Sequence, residues 1–185
     1  MSDEGPPGEE AAPHGLARAA ERLRRYGLYY IERYGSTTAR LRTMLARKAD
    51  RLAAEAEFEA VALRPTIEAI EAFAVRNGLI DDARFAEARA ARMRQAGRSA
   101  RRIAAGLRAK GVAAETAAAA IAAAEGDDLA AAIRYARRRR FGPWDPSGAP
   151  DRQRQLAAMA RAGFGARVAR RVVTAASEEE LQEPD

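Results

Sequence analysis

Four consecutive arginines, Arg137, Arg138, Arg139 and Arg140, form the densest run of charged side chains in the sequence. A guanidinium is planar, permanently charged and carries five donors in a rigid fork, which suits phosphate and carboxylate pairing. Four in a row on a helix point around its circumference, so one internal acid cannot pair with them all. Two readings stand: a solvated helix C-terminus whose cations suit the helix dipole, or contact with a polyanion, where each phosphate neutralised steepens the salt dependence. A second set is Arg98, Arg101, Arg102, Arg108 and Lys110. With Ile103 and Leu107 at inward helical spacing, Arg101, Arg102 and Arg108 are expected largely outward. Arg89, Arg92 and Arg94 extend the charge on the preceding stretch, and Arg167, Arg170 and Arg171 repeat the pattern near the end. A solvated face and a concave binding surface both account for these bases.

Other chemistry is thin. There are no cysteines, which removes disulfides, thiolate metal sites and cysteine nucleophiles. The one histidine, His14, stands in a Pro/Gly/Glu-rich leader, a poor place for a catalytic base. Asp81 and Asp82 diverge in direction at a helix start, and capping explains both better than metal binding or acid–base work. No phosphate-cradling glycine loop, metal cluster or nucleophile–base pair is visible. The expectation is a protein without enzymatic activity, cofactor or metal. Trp144 lies in a proline-rich loop as a local anchor or a contact residue. The tyrosines at 26, 29, 30 and 34 fit helix packing better than base stacking, with Tyr29 and Tyr34 the two that could be exposed.

The net charge of +6 hides an asymmetry. Residues 1–15 and 177–185 carry nine acids and no Lys or Arg, so the stretch between holds all 32 bases against 17 acids. Only Lys48 and Lys110 are lysine. A coding bias toward arginine and alanine accounts for part of that ratio, but not for the excess of charge, which implies a polyanion or an acidic protein partner. No apolar run is long enough to span a bilayer, and the acidic start lacks the basic and apolar segments of a signal peptide. A soluble, cytoplasmic protein acting as a monomer, with no membrane partner, is expected.

The elements that would position these bases are helical. Hydrophobic residues are 48% but largely alanine, aromatics are 6%, and no alternating strand pattern appears. Residues 1–15 are acidic, Pro/Gly-rich and expected to be disordered. Leu16 to about Arg33 reads as helix, weakened by Gly27. Ser36 or Thr37 caps the next, carrying Leu41, Met44, Leu45 and Leu52, and helix is expected to continue through 53–63. Pro65 opens another up to Gly78, a C-terminal cap glycine. The segment 78–112 is the clearest unit: a helix capped by Asp81 or Asp82, a turn at Ala96-Gly97, then a Ser99-capped helix ended by Gly111. Residues 113–124 are an alanine-rich helix with Ile121 its one large apolar residue, and Asp127 or Asp128 caps the helix that ends in the arginine run. Residues 141–151 must be a loop, and the last two helices carry Leu156 and Met159, then Val168, Val172 and Val173. The alanine-rich helix offers almost no side chains for base edges, so phosphates or a protein groove fit better than sequence readout.

Three phrases echo one another: L45-A-R-K-A-D50, L107-R-A-K-G-V112 and M159-A-R-A-G-F164. Gly111 and Gly163 take matching helix-ending places, and the first copy has Ala49 there. The comparison predicts an all-α chain of three tandem three-helix repeats at about 16–77, 78–125 and 126–176, stacked into an elongated, solenoid-like body, with an acidic tail at 177–185. On G78-L-I-D-D-A-R-F-A86, R102-I-A-A-G-L-R-A-K-G-V112 and L156-A-A-M-A-R-A-G-F164, the chain closely resembles the RecX regulatory proteins of bacteria over roughly residues 20–175. That resemblance implies the three-repeat fold. It also implies binding to the RecA recombinase filament and to single- or double-stranded DNA, restraining RecA's ATPase, strand-exchange and coprotease activities. The alternative from the residues alone is a general helical nucleic-acid-binding protein with no recombinase partner.

Overall fold

The computed structural model describes residues 11–34 and 36–182, and the side chains from residue 14 onward. Among them are nine α-helices: α1 (Ala11–Arg33), α2 (Thr38–Glu55), α3 (Arg64–Arg76), α4 (Asp82–Gln95), α5 (Ala100–Arg108), α6 (Ala114–Ala123), α7 (Asp128–Arg139), α8 (Arg152–Arg161) and α9 (Ala166–Thr174). They form three three-helix repeats, as expected, and no strand is present among the described residues.

Each run of three helices has its own apolar core. The first centres on Leu23, Leu41, Leu45, Leu52 and Leu63. The second is built on Ala86, Ala90, Ile103, Leu107 and Val112, and the third on Tyr135, Met159, Phe164, Val172 and Val173. Burying one such aliphatic side chain stabilises by about 1.5–3 kcal/mol, and the second core, half alanine, has the least of this. The chain divides into two compact units, Met1–Asp82 and Ala83–Asp185.

Capping follows a repeated scheme. Thr37 Oγ1 accepts from Arg40 N at 3.3 Å to open α2, and Ser99 Oγ accepts from Arg102 N at 3.2 Å to open α5. Asp82 and Asp128 stand at equivalent helix starts, and each sends its carboxylate to the start of the helix two before its own. Asp82 Oδ1 accepts from Thr38 N at 2.9 Å, and Asp128 Oδ1 from Ala100 N at 2.8 Å, which satisfies a first-turn N–H of α2 and of α5. Asp127 caps α7 through Ala130 N. The expected cap of α7 thus falls to Asp127, while Asp128 reaches the start of α5 and Asp82 the start of α2.

Several expected boundaries move. Helix α1 begins at Ala11 and not Leu16, because Pro13 falls within the first turn, where its missing N–H is no loss. Residues 1–10 of the expected disordered leader lie outside the described residues. The echo at Leu45–Asp50 contains no turn: Ala49 is buried inside α2, which runs on to Glu55. Gly111 and Gly163 end their helices at φ of 77° and 90°, a left-handed conformation that a side chain disfavours and alanine has no reason to adopt. Helix does not continue through 53–63. The chain leaves α2, passes Glu57 at φ 53° and makes a short 3₁₀ turn at Ala60–Leu63 that buries Leu63. The acidic tail is docked as far as it is described, with a 3₁₀ turn at Glu179–Leu181 and Leu181 only 3% exposed in the third core.

Gly27 sits where α1 meets α2 and α3. A Cβ there would lie 2.9 Å from Ile70 Cγ2 and 3.3 Å from Leu45 Cδ2, so the close approach, not weak helix propensity, accounts for the residue. Beside it, Arg42 holds the buried Glu71 through Nε at 2.8 Å and Nη2 at 2.6 Å, which raises the Arg42 pKa above its ordinary value.

Candidate anion-binding surface

The arginine run that ends α7 does four different things. Arg137 pairs with Glu178 and lies 5.7 Å from the Trp144 ring centroid, with Trp144 Nε1 also donating to Glu178 at 3.4 Å. Trp144 packs partly buried against the third core, so it is a local anchor. Arg138 Nη2 donates to Ala96 O at 2.6 Å. Arg139 lies over the Tyr135 ring at 5.8 Å. Arg140 takes the left-handed helix-ending position at φ 56°, exposed. After it, the loop is fastened by Gln155, which accepts from Gly142 N at 2.8 Å and donates to Asp145 at 2.6 Å. Hydrogen bonds from Ser147, then Gln155, hold the Asp145 carboxyl below the usual carboxylate range.

Helix α5 sorts its bases onto two sides. Arg98 and Arg102 face a cleft of about 300 Å³ that Arg139 and Arg161 complete, with Tyr135 in its wall. No acidic residue lines it, and none of the four guanidiniums has a carboxylate within ion-pair distance among the described residues. Arg101 and Arg108 border a separate groove of about 580 Å³ lined by alanines, Val112 and Ile121. The expectation that Arg101, Arg102 and Arg108 point outward matches their exposure.

Other bases are placed differently. Arg94 was expected on the charged outer face, but it is 4% exposed and pairs with Asp128 at 2.6 Å. A buried cation needs a carboxylate partner, and the neighbouring helix start supplies it. Arg89 is half-buried, with its Nε shielded and without a hydrogen-bond partner among the described residues. Arg92 and Arg170 are exposed, and Lys110 is half-buried and engaged. Arg167 and Arg171 border a depression that also holds Asp127 and Asp128, so they face acids as well as solvent. Of the candidate bases, Arg98, Arg102 and Arg139 thus come together with Arg161 around a cleft whose lining holds no acid. Sequence reasoning missed Arg161 as a site residue. Its signal was present as the base two places after Met159, which marked the repeat and nothing more.

The cleft is held by polar stitching between the second and third repeats. Ser99 Oγ donates to Ala162 O at 2.8 Å, and Arg134 Nη2 donates to Arg94 O at 3.1 Å. With the Arg138–Ala96 bond, these fix the 94–99 turn against α7 and the end of α8.

Fold and surface together define a class: an all-helical protein of three-helix repeats with an acid-free arginine cleft between two of them. The chain matches the family model described as RecX, second three-helix domain, over residues 81–121. It is 38% identical over 156 residues to Regulatory protein RecX of Myxococcus xanthus (strain DK1622), covering 82% of this chain and 83% of that relative. The chain belongs to the RecX family of regulatory proteins. Among the described residues, no helix is long and apolar enough to cross a membrane.

Proposed function

We propose that this protein is a non-enzymatic, cytoplasmic regulator that binds the RecA recombinase–DNA filament through the basic surface of its second and third repeats. It restrains the filament's ATPase, strand-exchange and coprotease activities by occupying the filament groove, where it touches protein and phosphates together. The observation that carries the reading is the set of exposed arginines on α5, α7 and α8 that lack carboxylate partners among the described residues. A polyanion neutralises such a set and releases its own counterions. Membership of the RecX family, resemblance to which implies RecA binding, supports RecA as the partner. The candidate contacts are Arg98, Arg102, Arg108, Arg101, Arg139 and Arg140, with Arg92, Arg138 and Arg170 as flanking charges; Arg89, Lys110, Arg137, Arg167 and Arg171 are secondary because each is half-buried, engaged or near acids.

The test is the single-stranded-DNA-dependent ATPase of the cognate RecA with substoichiometric protein added. Inhibition well below one regulator per RecA is expected. Unchanged turnover at a salt concentration where both proteins bind DNA overturns the reading and leaves a general nucleic-acid-binding protein.

A further inference from the structure

We propose that the cleft framed by Arg98, Arg102, Arg139 and Arg161 is a discrete site for the phosphodiester backbone of a nucleic-acid strand, read without regard to sequence. The proposal rests on the polyanion part of the reading above and sharpens it: a defined cluster, made by two repeats together, does the phosphate binding, and the remaining surface arginines do not share it equally.

Four arginines line about 300 Å³ with no carboxylate among the lining residues. Like charges so placed repel one another, and an anion between them relieves that repulsion. The walls of the cleft are also held in place. Arg139 rests over Tyr135, whose ring is itself held by Phe164 at 5.5 Å and Phe141 at 6.2 Å. Arg98 and Arg102 flank the start of α5, tied to the end of α8 by the Ser99–Ala162 bond, and Arg161 leaves from that end. The backbone N–H groups of Ala100 and Arg102 are already taken by Asp128 and Ser99. The guanidinium forks are the charged donors that the lining offers a ligand, and they match the paired oxygens of a phosphate.

The same lining distinguishes among anions. It holds no Asn, Gln, Asp or Glu to meet a base edge, and its one aromatic ring is buried and already packed. A free nucleotide finds phosphate donors here but no open aromatic face on which its base can stack. An acidic peptide finds cations but only Ala158 and Ala162 as apolar anchors. A repeating phosphate chain needs neither, and leaves the cleft past further exposed bases such as Arg140.

The experiment is fluorescence anisotropy of a labelled oligothymidylate with the full chain across a salt series, with no recombinase present. Arg102→Ala with Arg161→Ala is expected to weaken binding at least about tenfold and to lower the slope of log K against log salt by about 1.4, or about 0.7 for each single-strand phosphate no longer neutralised. Arg152→Ala with Arg154→Ala removes two exposed charges outside the cleft and is expected to cost less than half as much. An equal loss from this control overturns the proposal in favour of diffuse charge. Should the alanine pair fail to fold by circular dichroism, Arg102→Lys with Arg161→Lys keeps the charge and loses the forks; several-fold weaker binding supports the site, and unchanged binding overturns it. Inorganic polyphosphate is expected to displace the oligonucleotide in proportion to its charge, while ATP and polyglutamate compete far more weakly. ATP displacing at equal or lower concentration overturns the strand assignment in favour of a nucleotide, and polyglutamate doing so reassigns the cleft to an acidic protein segment. Failure here with RecA inhibition intact removes the cleft and leaves the filament reading standing; the reverse removes the recombinase and leaves the cleft.

Discussion

At the scale of single residues, the arginines of this chain are not one population. Arg94 is a buried structural cation, closed by Asp128. Arg137 is clipped by Glu178, and Arg138 is spent on a backbone carbonyl. Removing the partner of a buried cation is costlier than removing an exposed one, so charge reversals aimed at function belong at the exposed positions. Arg140 is the informative exception. It holds a left-handed conformation, φ 56°, where the equivalent end of α4 uses glycine, Gly97 at φ 67°. That conformation costs a side-chain-bearing residue about 1–2 kcal/mol. Arg140→Gly is therefore expected to raise stability by about 1 kcal/mol in chemical denaturation while weakening oligonucleotide binding. A loss of stability instead would mean that the arginine side chain makes a stabilising contact.

At the scale of elements, close approach decides what the helices tolerate. Helix α1 passes α2 and α3 at Gly27, where even one methyl meets Ile70 and Leu45. Alanine improves helix propensity by about 1 kcal/mol, while overpacking costs about 1–3 kcal/mol. Gly27→Ala is expected to lower stability by about 1 kcal/mol. In an Ile70→Ala background the same change becomes neutral or stabilising, because the obstructing side chain is gone; a double-mutant cycle measures the difference. The caps show a similar dependence on neighbours. Serine or threonine before a helical run was legible at Thr37 and Ser99, since that signal is local. The reach of Asp82 to Thr38 and of Asp128 to Ala100 was not, since each spans 28 or more residues and depends on how one element meets the next.

At the scale of the whole molecule, three apolar cores are distributed over two compact units. The second and third repeats belong to one unit although their cores are distinct, and the polar stitching around residues 94–99 is what joins them. The chain's one tryptophan, Trp144, lies in this second unit and reports on it alone. Leu41, fully buried in the first core, offers the complementary perturbation. Leu41→Ala is expected to destabilise the first unit by about 2–5 kcal/mol. In urea, part of the circular dichroism transition should move to lower denaturant while the Trp144 fluorescence transition stays in place. A coincident shift of both signals would show that the units unfold as one.

By itself the sequence determined the helical class, the three-helix repeat and the basic character of the second and third repeats. Those properties rest on local propensity, on spacing within a dozen residues and on summed charge, all of which survive without coordinates. The missing turn at Ala49 was also readable in principle, because alanine continues a helix that glycine would end. Tertiary structure alone decided which arginines are available. Arg94 and Arg98 stand four residues apart, with the same charge and similar surroundings in sequence, yet one is buried against Asp128 and the other lines the cleft with Arg161. The difference arises from packing between repeats, and the free energy of a charge depends on what lies within a few ångströms of it and not on its neighbours along the chain.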